Sequence, residues 1–260
     1  MEKLKFVHKV SKGSRFNQIY VPKEMERHFQ SGDLVEVTLL EKSISVHYSK
    51  NLVKLSEFKE TLIKNIFLEL RRFKEIKQIF IVGSFLTQKQ DYNDIDIIII
   101  SEKNLEKEIY EILIDKFELK FHIINIPEDN FESLQKYCPM TRSMLYYFVS
   151  NKKFSLSKGT ELNKNHIKFL LIMPEDILTI TLKPRVFYDS LRRLLTIERF
   201  LENDSLDPLE VNKEIQTLIT KNLATDIRNN ENISDEIIKK LRNIIKSKLS
   251  KINRIIDKSQ

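Results

Sequence analysis

The spacing of apolar residues divides the chain into segments of different character. Between residues 51 and 182, apolar runs with helical and with strand-like spacing alternate. The run IDIIII, at 95–100, is so uniformly apolar that we expect a central strand buried on both faces. Strands that alternate with helices predict an α/β domain, in which helices cover a sheet.

The two ends of the chain follow other patterns. Residues 1–50 alternate short apolar runs with turn signals, which predicts a small β-rich domain with a short helix ended by Gly32 and two strands paired around Lys42. From residue 184 onward, apolar residues recur at three- and four-residue spacing. This predicts a helical bundle within 183–260, built from helices over 186–203, 207–230 and 234–257.

Composition narrows the class of protein. The 260 residues are 41% hydrophobic, which is enough to bury a core. The single cysteine, Cys138, excludes an intramolecular disulfide and fits a reducing compartment. No apolar stretch approaches the roughly 18 residues of a membrane helix, and the first residues lack a signal-peptide pattern. We therefore expect a cytoplasmic protein without a membrane partner.

The net charge of +7 is distributed unevenly. Lys and Arg outnumber Asp and Glu by 9 to 6 in residues 1–50 and by 16 to 12 in residues 183–260, against 19 to 19 in residues 51–182. Basic ends are compatible with a polyanionic partner such as RNA or DNA. A solvated, Lys-rich surface explains them equally well, so charge alone selects neither interpretation.

Part of the N-terminal segment resembles a known domain. The stretch IYVPKEMERHFQSGDLVEVTLL resembles the AbrB-type swapped-hairpin domains of archaeal and bacterial regulators, through Ile19, Pro22, Gly32, Asp33 and Val35–Val37. The resemblance implies a homodimer that often contacts DNA. The alternative is a β-rich cap that serves packing or dimerisation only.

The pair Gly83-Ser84 lies where a predicted strand turns into a helix, in a chain with only four glycines. Glycine at such a turn lets the backbone approach a ligand closely, and the following N–H groups and the Ser84 hydroxyl suit a phosphate. A glycine at a strand-to-helix turn is commonly a packing device, so the pair by itself is weak evidence.

Asp94 and Asp96 add a second feature. Residues i and i+2 of a strand project to the same side, so the two carboxylates lie together while Ile95 and Ile97 face the opposite core. Two neighbouring carboxylates repel each other unless a cation compensates them. Mg²⁺, or Mn²⁺, takes a few carboxylates and completes its shell with water and substrate phosphates. A solvated strand end is the alternative, which the four isoleucines after Asp96 disfavour.

The combination of Gly-Ser, nine residues and Asp-x-Asp, each half joined to a strand, resembles the signature of the DNA polymerase β-like nucleotidyltransferase superfamily. The resemblance covers about residues 55–175 and is closest in layout to the minimal nucleotidyltransferases. It implies a mixed sheet, two metal ions and transfer of a nucleoside monophosphate from an NTP to a hydroxyl. By motif match, Gly83 and Ser84 would hold the triphosphate, and Asp94 and Asp96 would bind the metals.

One position departs from this family pattern. The superfamily normally carries a third carboxylate on a later strand, as metal ligand and base for the acceptor hydroxyl. The matching position is His122, between Phe121 and Ile123. A neutral imidazole can accept a proton or bind a metal, although Mg²⁺ prefers oxygen. His122 is thus a candidate catalytic residue, or the mark of a domain that binds nucleotide and transfers poorly.

Other polar residues are weaker candidates. We expect Asp91 and Asn93 to shape the loop before the catalytic strand. Arg142, Arg192 and Arg193 lie on predicted helices and could reach a phosphate or a nucleic acid, although arginines on amphipathic helices are usually solvated.

These features predict a metal-dependent nucleotidyltransferase with domains over 1–50, 51–182 and 183–260. Its acceptor would be a nucleic acid, such as tRNA, or a hydroxyl of a partner protein. The alternative is a DNA-binding regulator in which residues 1–50 act and a degenerate nucleotidyltransferase domain senses nucleotide. His122 in place of an acid is the best support for that alternative.

Overall fold

The computed structural model describes residues 4–40, 43–88, 92, 94–157, 159–180 and 182–258, and the chain falls into two compact units, residues 1–43 and 44–260. In the first unit, strands β1 (Ser11–Lys12) and β2 (Asn17–Gln18) pair antiparallel, and a 3-10 turn covers Lys23–Met25. None of residues 4–40 is buried.

The predicted pair of strands around Lys42 is not found. Lys42 itself lies outside the described residues, and residues 33–40 form no strand within the described part of the chain. Strand β3 (His47–Tyr48) instead pairs with residues 149–150, so residues 44–50 belong to the second unit. The prediction that two strands pair around Lys42 is therefore wrong. An alternating apolar pattern indicates that a strand face must be covered, but it does not identify the strand with which it pairs.

A mixed sheet forms the centre of the second unit. After helix α1 (Glu57–Leu70) come strand β4 (Gln78–Val82), strand β5 (Ile95–Ile100), helix α2 (Glu106–Phe117) and strand β6 (Phe121–Ile126). Helices α3 (Glu128–Tyr137) and α4 (Pro139–Met144) lead to strand β7 (Val149–Ser150). In the described residues the strand order is β3-β7-β4-β5-β6, with β5 and β6 parallel and the other neighbours antiparallel.

The two faces of the sheet are covered by different helices. Ile95, Ile97 and Ile99 pack in one core with the buried faces of α1 and α2. Ile98 and Ile100 pack in a second core on the opposite face, which includes Phe131 of α3. Strand β5 is therefore buried on both faces, which confirms the interpretation of IDIIII and the α/β class of this segment.

The helical C-terminal part is confirmed with two differences. It comprises α5 (Lys164–Asp176), α6 (Pro184–Leu201), α7 (Pro208–Ile219), α8 (Lys221–Arg228) and α9 (Asp235–Lys258), which share one apolar core. Helix α5 thus joins that core, and the helix predicted over 207–230 breaks at Thr220, whose φ is +73°. A β-branched residue rarely adopts this backbone conformation, so periodicity alone does not reveal the break.

Helix α6 holds the bundle together. It packs against α4, α5, α7, α8 and α9, and its buried residues include Phe187, Leu191 and Leu194. Buried Glu198 accepts hydrogen bonds from Lys248 and Lys251 of α9. No helix within the described ranges is both long enough and apolar enough to cross a bilayer.

Candidate active site

Asp96 lies in the middle of the candidate site because of the register of β5. It is the partner of Val82 in antiparallel β4 and of His122 in parallel β6. The imidazole Nδ1 of His122 is 3.0 Å from Oδ1 of Asp96. Both side chains lie on the sheet face opposite the core that contains Ile95 and Phe121. The structure thus brings together the predicted carboxylate and the histidine at the position of the third acid.

Gly83 approaches Asp96 closely. Its φ is +80°, in the left-handed region, and a Cβ at this residue would lie 2.1 Å from Oδ2 of Asp96. Any side chain at residue 83 would therefore displace the carboxylate. The sequence suggested a close approach to a ligand, and the structure adds a close approach to Asp96.

Ser84 is the first residue of the turn that follows Gly83. Residues Ser84–Leu86 form one 3-10 turn, closed when the amide N–H and the hydroxyl of Thr87 donate to the Ser84 carbonyl at 3.0 and 2.8 Å. Gly83 is exposed and Ser84 is partly exposed. A ligand can therefore reach this turn beside Asp96.

The charge of Asp96 is only partly compensated. Its side chain is 24% exposed. Burial raises the pKa of the Asp96 carboxyl above its ordinary value, and the charge of Asp94 acts in the same direction. The hydrogen bond and charge of His122 and the charge of Arg192 oppose this increase without cancelling it. At neutral pH the site therefore favours an additional positive charge.

These donors fit a divalent cation. Asp94 and Asp96 offer hard carboxylate oxygens, and the incompletely compensated charge of Asp96 is the property that a bound cation would satisfy. Across the described residues no three His, Cys, Asp or Glu side chains converge in a metal-binding cluster. Two carboxylates are nevertheless what Mg²⁺ uses where substrate phosphates and water complete its coordination.

The weaker candidates separate into structural and site residues. The guanidinium of Arg142 donates to the carbonyls of Gln135, Ser157 and Gly159, so it holds a loop. Arg193 donates to the carbonyl of Leu170. Arg192 differs, because its charge acts on Asp96. Asp91 and Asn93 lie outside the described residues.

Sequence reasoning missed Lys59. This residue of α1 is 7% exposed, and its ammonium donates to the carbonyl of Thr87 at 2.8 Å, directly after the Ser84 turn. The signal was present in the sequence, because Lys59 lies on the apolar stripe of α1, four residues after Leu55 and four before Ile63. A lysine on a buried helix face requires a polar partner.

The comparisons with known proteins agree with the motif. Residues 63–147, about a third of the chain, match the family model described as a nucleotidyltransferase domain. The match includes each of the predicted site residues: Gly83, Ser84, Asp94, Asp96 and His122. The match supports, for this segment, the superfamily that the signature indicates.

Other comparisons are more distant. No curated protein matches the chain. Among solved structures, the chain is similar to spectinomycin adenyltransferase AAD(9) from Enterococcus faecialis, crystallised with ATP and spectinomycin. The identity is 13% and the TM-score 0.45, over 75% of this chain and 100% of that chain. A likeness at this level does not determine the nucleotide or the acceptor of the present protein.

The contact between Gly83 and Asp96 predicts the effect of a single methyl group. Gly83→Ala should lower the free energy of unfolding by about 2 kcal/mol, because it combines a left-handed φ with the displacement of a carboxylate. Gly159→Ala is the matched control, since no atom of the described residues beyond its chain neighbours lies within 4 Å of a Cβ there and its φ is not left-handed. Denaturant unfolding of both variants measures the difference.

The same substitution in an Asp96→Ala variant separates the effect of the left-handed φ from the effect of the displaced carboxylate. In Asp96→Ala the carboxylate is absent, so the penalty of Gly83→Ala should shrink to that of the backbone conformation. An equal penalty in both backgrounds would show that the Asp96 carboxylate does not occupy the space beside residue 83.

Proposed function

We propose that the protein is a metal-dependent nucleotidyltransferase that moves a nucleoside monophosphate from an NTP, for example ATP, to an acceptor hydroxyl. The observation that carries this proposal is the position of Asp96, which lies between the exposed Gly83-Ser84 turn and His122 inside the matched domain. A site for a cation and a site for phosphates are adjacent there.

Each residue has a defined task in the proposed reaction. The Gly83-Ser84 turn binds the triphosphate through its N–H groups and the Ser84 hydroxyl. Asp94 and Asp96 would hold the Mg²⁺ or Mn²⁺. A cation bound there would supply charge stabilisation during the transfer. The acceptor oxygen forms a bond to the α-phosphorus, and the bond from that phosphorus to the pyrophosphate oxygen breaks.

His122 is the proposed base for the acceptor hydroxyl. When Nδ1 carries the proton and donates it to Asp96 at 3.0 Å, the lone pair of the imidazole lies on Nε2. The His122 side chain is 60% exposed, so an acceptor hydroxyl can reach Nε2 and transfer its proton there. The Asp96 carboxylate fixes the ring in this tautomer, as carboxylates do for other catalytic histidines.

Arg192 is the proposed contact from α6 to the triphosphate. Its guanidinium has a loose ion pair with Asp189, at 3.9 Å, while its charge acts on Asp96. The side chain is half exposed. A cation that faces the reacting phosphates can compensate their negative charge during transfer.

The acceptor that we propose is a nucleic acid, such as tRNA, or a hydroxyl of a partner protein. The basic excess in residues 1–50 and 183–260 is compatible with a polyanionic acceptor. The lone, buried Cys138 fits the reducing cytoplasm in which either acceptor occurs.

The regulator with a degenerate domain is the second candidate. His122, in place of the expected acid, is its best support. The 3.0 Å contact between His122 and Asp96 is the reason that we favour catalysis, because a base with a carboxylate partner is suited to proton transfer.

An assay of label transfer tests the reaction. The native protein should transfer label from an NTP labelled at the α-phosphate to RNA, DNA or a protein of a cell extract, in the presence of Mg²⁺ or Mn²⁺ and not after chelation. Asp94→Asn and Asp96→Asn should abolish transfer, since each removes a charged oxygen ligand.

Thermal unfolding provides the control for this assay. The pKa of Asp96 is raised, so its ionised form is unfavourable in the folded chain at neutral pH. Asp96→Asn removes that ionised form and should fold at least as stably as the native protein. Absence of transfer with every acceptor, together with nanomolar binding to a specific duplex, would support the regulator instead.

Two arginines of α6 provide a matched test of the phosphate contact. Arg192→Met should weaken binding of a non-hydrolysable NTP about tenfold or more, because a charge-assisted contact is lost. Arg185→Met should leave binding unchanged, although Arg185 pairs with the same Asp189 at the same 3.9 Å. Isothermal titration measures both. If Arg192→Met also weakens binding of the uncharged nucleoside equally, the contact is not with phosphate.

The N-terminal unit is the proposed dimerisation element, of the AbrB-like kind. Val35, Val37 and Leu39 are 60%, 66% and 64% exposed and alternate with Glu36 and Thr38. A segment this small rarely buries enough surface to fold alone, and strands of a second copy would cover this face. Sedimentation equilibrium should give twice the chain mass, and residues 44–260 alone should give the monomer mass. A monomeric full-length chain would contradict the proposal.

A further inference from the structure

Lys59 is a buried cation that the proposed reaction does not use. It is 7% exposed, and burial lowers the pKa of its ammonium. The ammonium lies 2.8 Å from the carbonyl oxygen of Thr87, 5.3 Å from the ring centroid of Phe85 and 5.4 Å from that of Tyr92. Carbonyl oxygens and ring faces are the neutral groups that stabilise a buried ammonium.

These contacts all belong to the connection between β4 and β5. Phe85 and Thr87 lie in and directly after the turn that Ser84 opens, and Tyr92 lies two residues before Asp94. The rings of Phe85 and Tyr92 meet edge to face, with centroids 4.9 Å apart. Lys59 therefore contacts the described residues at both ends of this connection.

The other end of the Lys59 side chain is anchored in a fixed helix. The Ser56 hydroxyl accepts a hydrogen bond from the amide N–H of Lys59 and caps α1. Ile63 and Ile66, one and two turns further on, are fully buried against the sheet. Because α1 is held in this way, the ammonium of Lys59 has a defined position. Its contacts in turn hold the connection between β4 and β5.

We propose that Lys59 is a positioning residue that braces the β4–β5 connection, so that the Gly83-Ser84 turn and Asp94 keep the arrangement that binds the NTP. This inference rests on the proposed function. The brace depends on the charge and the N–H donors of Lys59. A methionine of similar length would fill the same space without the cost of burying an ammonium, so packing alone does not account for the lysine.

Two lysines of α1 give a matched pair of variants. Lys59→Met should raise the dissociation constant of a non-hydrolysable NTP about tenfold or more, since displacement of the turn weakens its hydrogen bonds to the charged phosphates. Lys64→Met makes the same change on the exposed face of the same helix and should leave binding unchanged. Equal affinities in native and Lys59→Met would overturn the proposal.

A double-mutant cycle separates positioning from general stability. Tyr92→Leu removes one ring from the ammonium. If Lys59 acts through the connection, the double variant should bind the NTP about as weakly as Lys59→Met alone. Additive losses, or a loss of affinity that disappears once unfolding of the variant is subtracted, would count against a brace.

Hydrogen exchange tests the brace without any NTP. Amides of residues 84–88, 92 and 94 should exchange about tenfold faster or more in Lys59→Met than in Lys64→Met, with other segments unchanged. Unchanged exchange in this segment overturns the brace. If exchange increases but the native protein binds no NTP, the proposed function fails while the brace itself is supported.

Discussion

The carboxylate of Asp96 occupies the space in which any side chain at residue 83 would lie, and the candidate site is arranged around that contact. The antiparallel pairing of Val82 with Asp96 brings the strand-to-turn junction beside the acid. The parallel pairing of Asp96 with His122 brings the imidazole to its other side. One register therefore places the Gly83-Ser84 turn, the acid and the histidine together.

That contact also explains the electrostatics of the site. A carboxylate covered by backbone on one side is shielded from water, so burial raises its pKa. Two groups compensate the negative charge of Asp96 in part: the His122 side chain from β6 and the more remote charge of Arg192 from α6. Incomplete compensation is costly by itself, and it would become an advantage with the cation and the triphosphate that we propose to bind there.

Sequence periodicity predicted the α/β segment, the doubly buried strand and the helical end, because these elements depend on local spacing. It failed for the strand at His47–Tyr48, whose partner lies about 100 residues later in the chain, and at Thr220, where one φ angle divides a continuous apolar pattern. Strand partners and single backbone angles are decided by tertiary packing rather than by the residues nearby.

The residues of the candidate site could be predicted from the sequence to about the same extent as the fold. Gly-Ser and Asp-x-Asp identified the residues that the structure places around Asp96, with His122 beside them. The contacts of Lys59 could not be derived, although its place on an apolar stripe was visible, because the partner carbonyl of Thr87 is set by the path of the chain between strands. Arg192 and Arg193 are adjacent in sequence, and only the packing of α6 shows that the charge of Arg192 acts on Asp96 while Arg193 donates to the carbonyl of Leu170.

Helix α6 joins the α/β part of this chain to the helical bundle. The same helix forms the centre of the bundle and carries Arg192, and the α/β part is bonded to the bundle through Ser143 to the carbonyl of Leu206 at 3.0 Å and Tyr147 to Asp207 at 2.9 Å. A segment that ended before α6 would expose the apolar residues of α3 and α4 that pack against the core of the bundle. The two parts are thus expected to evolve as a single unit, because a substitution on one side of this interface changes the packing of the other side.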